Sequence, residues 1–164
     1  MPTDKPAALY PEPTQQGTTK GMAKGFILCA DDFAMTEGVS RSILALLGHG
    51  KLTATGAMTN RPHWRWFAPE LAAFAGKADL GLHLNLTCAE PITTMPRLAP
   101  GGLLPGLKAV ARAAASSGAA RAEIAAEIAR QLDAFEDAMG RAPDFVDGHQ
   151  HVHVLPGVRR ALLD

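Results

Sequence analysis

Short apolar runs alternate with longer amphipathic stretches from Phe26 to the end of the chain, and this alternation constrains the fold more than any other feature. Phe26-Ile27-Leu28-Cys29-Ala30 is wholly apolar, which predicts a strand buried on both faces. Residues 37–48 follow as a helix, with Val39, Ile43, Leu44 and Leu47 on one stripe and Thr36 as N-cap. Leu52 to Thr59 reads as a second strand closed by Asn60. Pro62 and Pro69 interrupt the next stretch, leaving a short helix from Pro69 to Phe74. From Asp79 to Thr87 the third strand alternates strictly: Leu80, Leu82, Leu84 and Leu86 on one face, Gly81, His83, Asn85 and Thr87 on the other.

The proline-rich residues 88–105 predict a long loop, a kind of segment that often serves function. Two Ala-rich helices come next, over 107–117 and 119–139. Ile124, Ile128, Leu132, Phe135 and Met139 line the second, and Gly140 ends it. After Pro143 a fourth strand runs from Phe145 to about His151, and a last helix starts near Pro156.

The order β-α-β-α-β-α-α-β-α implies an α/β fold with a parallel sheet and right-handed crossovers, open or closed into a barrel. A full (β/α) barrel takes about 200–250 residues. Four strands in residues 25–164 therefore predict the N-terminal part of such a barrel, truncated, or completed by another chain. Residues 1–24 hold Pro2, Pro6, Pro11 and Pro13 and no apolar periodicity, which predicts a disordered tail.

Composition narrows the functions. Sixteen Lys and Arg balance sixteen Asp and Glu, so nothing draws the chain to nucleic acid or an anionic membrane. No run approaches the ~20 apolar residues of a membrane span, and no secretory signal is recognisable, so the expected compartment is the cytoplasm. Cys29 and Cys88 read as small core residues, not a disulfide framework.

The residues that carry chemistry stand where these strands end. Asp31 and Asp32 follow the first strand directly, at the end where α/β folds bind ligands. His83 lies mid-way along the polar face of the third strand. In Asp147-Gly148-His149-Gln150-His151-Val152-His153, three histidines recur at every second position. In an extended chain they share a face with Asp147, neighbours lying about 6.6 Å apart. Two of these imidazoles can reach one ion; all three can do so only if the strand ends early. One carboxylate with two imidazoles leaves a divalent ion open positions, as catalysis requires. Asn60 and Asn85 are candidate substrate-binding residues.

Ala30-Asp31-Asp32-Phe33, Gly81-Leu82-His83-Leu84-Asn85-Leu86-Thr87 and Asp147 to His153 together resemble the three motifs of YdjC-type carbohydrate deacetylases, which include chitooligosaccharide deacetylases. Glu90-Pro91-Ile92-Thr93-Thr94-Met95-Pro96 is similar to that family's loop after the third strand. The resemblance spans about residues 25–164 and implies an irregular (β/α) barrel. It implies that Asp32, His83 and His149 bind a divalent metal, Mg²⁺ or Zn²⁺, and that Asp31 is the catalytic base. His151 and His153 match further polar positions of the third motif; either of them, or a histidine from the family's C-terminal half, is the candidate to protonate the leaving amine. The implied reaction removes N-acetyl groups from amino sugars or chitooligosaccharides, with a small carbohydrate as partner and homo-oligomerisation left open. Ala34 departs from the family's usual glycine.

Three alternatives stand beside this reading. One is a metal hydrolase of non-sugar amides or esters. Another is a non-haem iron oxygenase, whose two-His-one-carboxylate set is shared but whose scaffold is usually all-β. The third is an inactive, truncated metal- or sugar-binding remnant.

Overall fold

A computed structural model of the chain describes residues 25–116 and 118–164; the expected N-terminal tail lies outside them. Strand and helix alternate in the expected order: β1 (Cys29–Phe33), α1 (Glu37–Gly48), β2 (Ala54–Ala57), α2 (Trp64–Ala72), β3 (Asp79–Leu84), α3 (Leu107–Ser116), α4 (Gly118–Met139), β4 (Val146–Gly148) and α5 (Pro156–Leu163). Each strand pairs in parallel with the next, giving the sheet order β1-β2-β3-β4. Doubly wound sheets reverse their strand order part-way, whereas sequential neighbours are the arrangement of a (β/α) barrel. A parallel sheet of this kind is also not the all-β scaffold of the oxygenase alternative.

Local chemistry explains most boundaries. Thr36 caps α1, its hydroxyl oxygen accepting from Val39 N at 3.2 Å. Gly140 takes φ 67° immediately after α4, as a C′ glycine does. Leu80, Leu82, Leu84 and Leu86 are all fully buried, as the alternation requires.

Three expectations fail for physical reasons. Strand β1 begins at Cys29, and Phe26 and Ile27 stay more than 70% exposed, because β1 is an edge strand paired on one side only. Helix α2 starts at Trp64, ahead of Pro69. Trp64, Phe67, Ala68 and Leu71 form a continuous buried stripe, and that packing outweighs the proline's cost of about 3 kcal/mol. Strand β4 ends at Gly148; residues 149–154 form 3₁₀ turns broken by Gln150 and His151 at φ 53° and 57°.

Two apolar clusters flank β3. Phe33, Ile43, Leu47, Phe67, Leu71 and Phe135 tie α1, α2 and α4 to the sheet. Leu84, Leu86, Met95, Val110, Ile124 and Val158 tie the 88–105 loop, α3, α4 and α5 to its far side. The strand ends are thereby held between helices, and the polar residues at their C-terminal tips meet on one side.

Candidate metal centre

The two aspartates of β1 reach a common target because the strand bulges. Three residue steps from Ala30 to Phe33 pair with two steps from Thr55 to Ala57 on β2. Asp31 and Asp32 fall in this irregularity, and Asp32 takes φ 64°, a left-handed conformation costly for most non-glycine residues. A regular strand would send adjacent side chains to opposite faces. The bulge instead lets both carboxylates approach the ring of His83.

His83 sits on β3 opposite Asp147 of β4 in the parallel register, and only 4% of its surface is exposed. Its Nδ1 lies 2.7 Å from Asp147 Oδ1, and its Nε2 faces Asp32 Oδ1 at 3.4 Å. His149, on the first residue after β4, brings Nδ1 to 2.8 Å from the same Asp32 oxygen. The rings of His83 and His149 stand edge to face with centroids 5.7 Å apart.

Two sets of potential ligand atoms result, each lying within 4.8 Å of one another: Asp32, His83 and His149, and Asp31, His83 and Asp147. Ligands bonded at about 2.0–2.2 Å to one ion are separated by roughly 3 Å, which the 2.8 and 3.4 Å spacings about Asp32 Oδ1 match. One carboxylate and two imidazoles also form a donor set suited to a transition ion. The site thus fits a divalent cation. Burial pulls the pKa of His83 down. The hydrogen bond and charge of Asp147, with the charges of Asp31 and Asp32, outweigh it and leave the pKa raised. Beside them, burial and the charges of Asp31 and Asp147 push the Cys29 thiol up to about 12. Cys29 is solvent-exposed, not the core residue expected, and its Sγ lies 3.7 Å from Asp31 Oδ1.

The remaining expected site residues belong to neither ligand set. His151 and His153 do not share a strand face with His149, because the strand ends first. His151 is exposed, His153 Nδ1 is buried without a hydrogen-bond partner, and the two rings pack edge to face at 6.3 Å. Asn85 is fully buried. Its side-chain oxygen accepts from Thr87 N and Cys88 N, and its side-chain nitrogen donates to Cys88 O and Asn60 Oδ1. Asn60 donates to Glu90 O and, with Arg61, Arg65 and Arg130, lines a 510 Å³ cavity between α2, α4 and the loop after β3. None of Asp31, Asp32, His83 or His149 lines that cavity.

Sequence reasoning missed two groups. Asp147 was visible as a neighbour of His149, but its pairing with His83 depends on strand register. Glu127 and Gln131 of α4 gave no signal beyond two polar residues on a helix. Both are fully buried. Glu127 accepts from Ile92 N, Thr93 N, Thr93 Oγ1 and Gln131 Nε2, fastening the loop that follows β3.

The chain is similar to known proteins in sequence and in fold. A profile of the family described as YdjC-like protein matches residues 25–164. Proteins named chitooligosaccharide deacetylase from Salmonella paratyphi B and Salmonella newport are 34% identical over 140 residues. The match covers 84% of this chain and 53% of each relative. The chain therefore spans about half the length of the curated relatives it matches. A crystal structure of a candidate cellobiose-phosphate cleavage protein from Enterococcus faecalis V583 superposes with a TM-score of 0.67 at 24% identity. That match covers 84% of this chain and 53% of the other, and it shows a shared fold.

Proposed function

The chain belongs to the YdjC-like family, and from that membership we propose that its site serves metal-dependent removal of N-acetyl groups from amino sugars or chitooligosaccharides. The observation that carries the reading is the convergence of Asp32, His83 and His149 from β1, β3 and the turn after β4, with Asp31 beside them. The names of the Salmonella relatives supply the substrate class.

A divalent cation held there would supply a Lewis acid for the acetamide carbonyl and acidify a water molecule. Asp31 takes a proton from the attacking water as its oxygen bonds to the carbonyl carbon. Asp31 is exposed and sits within reach of His83 and Asp147, so its carboxylate is open to a substrate. The C–N bond then breaks, and the departing nitrogen takes a proton from a histidine. His151 and His153 of the 149–154 turn are the candidates in this chain. The products are acetate and an amino sugar. Two imidazoles in the donor set favour Zn²⁺ over Mg²⁺.

A small carbohydrate is the partner this reading calls for, and the cytoplasm the compartment. Among the described residues no helix is long and apolar enough to cross a membrane. The test is acetate release from N-acetylglucosamine oligomers with Zn²⁺ or Mg²⁺ present, set beside Zn²⁺ affinity. Chelation should abolish release, and Asp32→Asn, His83→Ala and His149→Ala should lose both release and Zn²⁺ binding. Wild-type behaviour in any of these variants refutes the ligand assignment.

A further inference from the structure

We propose that Asp147 is a positioning residue of the metal centre: its hydrogen bond to Nδ1 fixes the tautomer of His83 and reserves Nε2 for the cation. The inference rests on the metal-centre reading above and assigns a residue that reading leaves without a role.

An ionised carboxylate only accepts hydrogen bonds, so the 2.7 Å contact with Asp147 Oδ1 places the hydrogen on Nδ1 of His83. A neutral imidazole carries one N–H, which leaves a lone pair on Nε2, the atom facing Asp32. His83 belongs to both candidate ligand sets. Nδ1 cannot hold a hydrogen toward Asp147 and also donate a lone pair to an ion beside it. While that hydrogen bond holds, His83 can ligate only through Nε2, the atom facing Asp32.

The backbone makes room for this pair. His83 and Asp147 are register partners on adjacent strands, so the contact is built into the sheet. Gly56, on β2, faces the pair. A Cβ there would lie 3.1 Å from His83 Cβ and 3.2 Å from Asp147 Oδ1, tighter than ordinary packing allows. Outer partners that hold a ligating histidine in this manner typically affect metal affinity 10–100-fold.

The test uses the full chain, stripped with a chelator and titrated with Zn²⁺ against a chromophoric competitor. Wild type, Asp147→Asn, Gly56→Ala and Asp32→Asn are compared, with ¹⁵N-histidine spectra recorded on the metal-free proteins. Wild-type His83 should show the Nδ1–H tautomer. Asp147→Asn should mix tautomers, because a carboxamide can accept from Nδ1–H or donate to a bare Nδ1, and should weaken Zn²⁺ binding about 10–100-fold. Gly56→Ala keeps both side chains but crowds them apart, and should weaken binding in the same direction. A merely structural Asp147 would lower Tm while leaving tautomer and affinity unchanged in the molecules that fold, and that result overturns the proposal. Loss of binding in Asp32→Asn with none in Asp147→Asn overturns the positioning role alone. Binding that survives Asp32→Asn but not Asp147→Asn makes Asp147 a ligand and overturns the metal-centre reading as well.

Discussion

His149 Nδ1 lies 2.8 Å from Asp32 Oδ1 across 117 residues of sequence, joining the first strand of the sheet to the end of the last. In the cation-free chain this contact is a hydrogen bond from Nδ1–H to the carboxylate. A cation replaces that hydrogen and draws on the same two atoms. Asp32→Asn and His149→Ala each remove one ligand, so each should weaken Zn²⁺ binding by more than about 100-fold, beyond the usual effect of an outer partner. Competition titration measures this; affinity within tenfold of wild type in either variant contradicts it.

The raised pKa of His83 gives cation binding a pH dependence of definite sign. The proton on Nε2 must leave before a cation can bind there. Zn²⁺ affinity should therefore rise with pH up to the folded-state pKa of His83, which lies above 6.5, and level off beyond it. Stability of the cation-free chain should run the other way. A group whose folded pKa is raised contributes stability that is fully present below its unfolded pKa and lost as pH rises through the folded value. His83→Gln should remove that term from the pH dependence of urea unfolding under chelation.

Much of this was legible in the sequence, and what was not had a common cause. The order of strands and helices followed from apolar periodicity, which records burial directly. Asp32, His83 and His149 could be named because three motifs in order resemble one family. The bulge at Asp32, the early end of β4 and the pairing of Asp147 with His83 depend on register and on left-handed backbone at non-glycine residues, which periodicity does not encode. Asn85 illustrates the same limit. Its carboxamide is buried and engaged in the turn to Cys88, which the alternation of a strand does not reveal.

Ala34 takes φ 72° with its side chain fully buried, a backbone position that favours glycine. The left-handed conformation costs an L-residue roughly 1–2 kcal/mol. Glycine avoids that cost but adds freedom to the unfolded chain. Ala34→Gly should therefore stabilise the chain by about 0.5–1 kcal/mol in urea unfolding. No gain, or a loss, would show that packing of the Ala34 methyl outweighs the strain.

Cys29 is an exposed residue, yet partial burial of its sulfur and the charges of Asp31 and Asp147 push its thiol up to about 12. Thiolate is the reactive form. In the chelated chain at pH 8, iodoacetamide should therefore label Cys29 on the order of 10²–10³-fold more slowly than an unstructured cysteine peptide. Peptide mass mapping over time gives the rate. Replacing Asp31 with Asn removes the nearer charge and should speed labelling; an unchanged rate excludes Asp31 as a contributor.

Glu127 fastens the loop after β3 to α4. Its carboxylate, fully buried on α4, receives two backbone N–H groups, the Thr93 hydroxyl and the Gln131 carboxamide. One turn earlier Glu123 receives Arg97 N and Leu98 N, and one turn later Gln131 bonds both backbone groups of Asn85. Positions 123, 127 and 131 lie on one helical face, so α4 holds successive parts of the chain from Asn85 to Leu98. Glu127→Ala removes the acceptor of the half-buried Ile92 N and Thr93 N bonds and should cost about 1–3 kcal/mol. Glu127→Gln keeps the shape but turns a donor toward donors, so it should recover less than half of that loss. Hydrogen exchange separates the two consequences. In Glu127→Ala the amides of Ile92 and Thr93 should lose protection, while those of β2, which Glu127 does not touch, should fall only with global stability. If Ile92 and Thr93 keep their protection relative to β2, the loop is held by its apolar contacts through Met95 and Leu98, and the carboxylate does not fasten it.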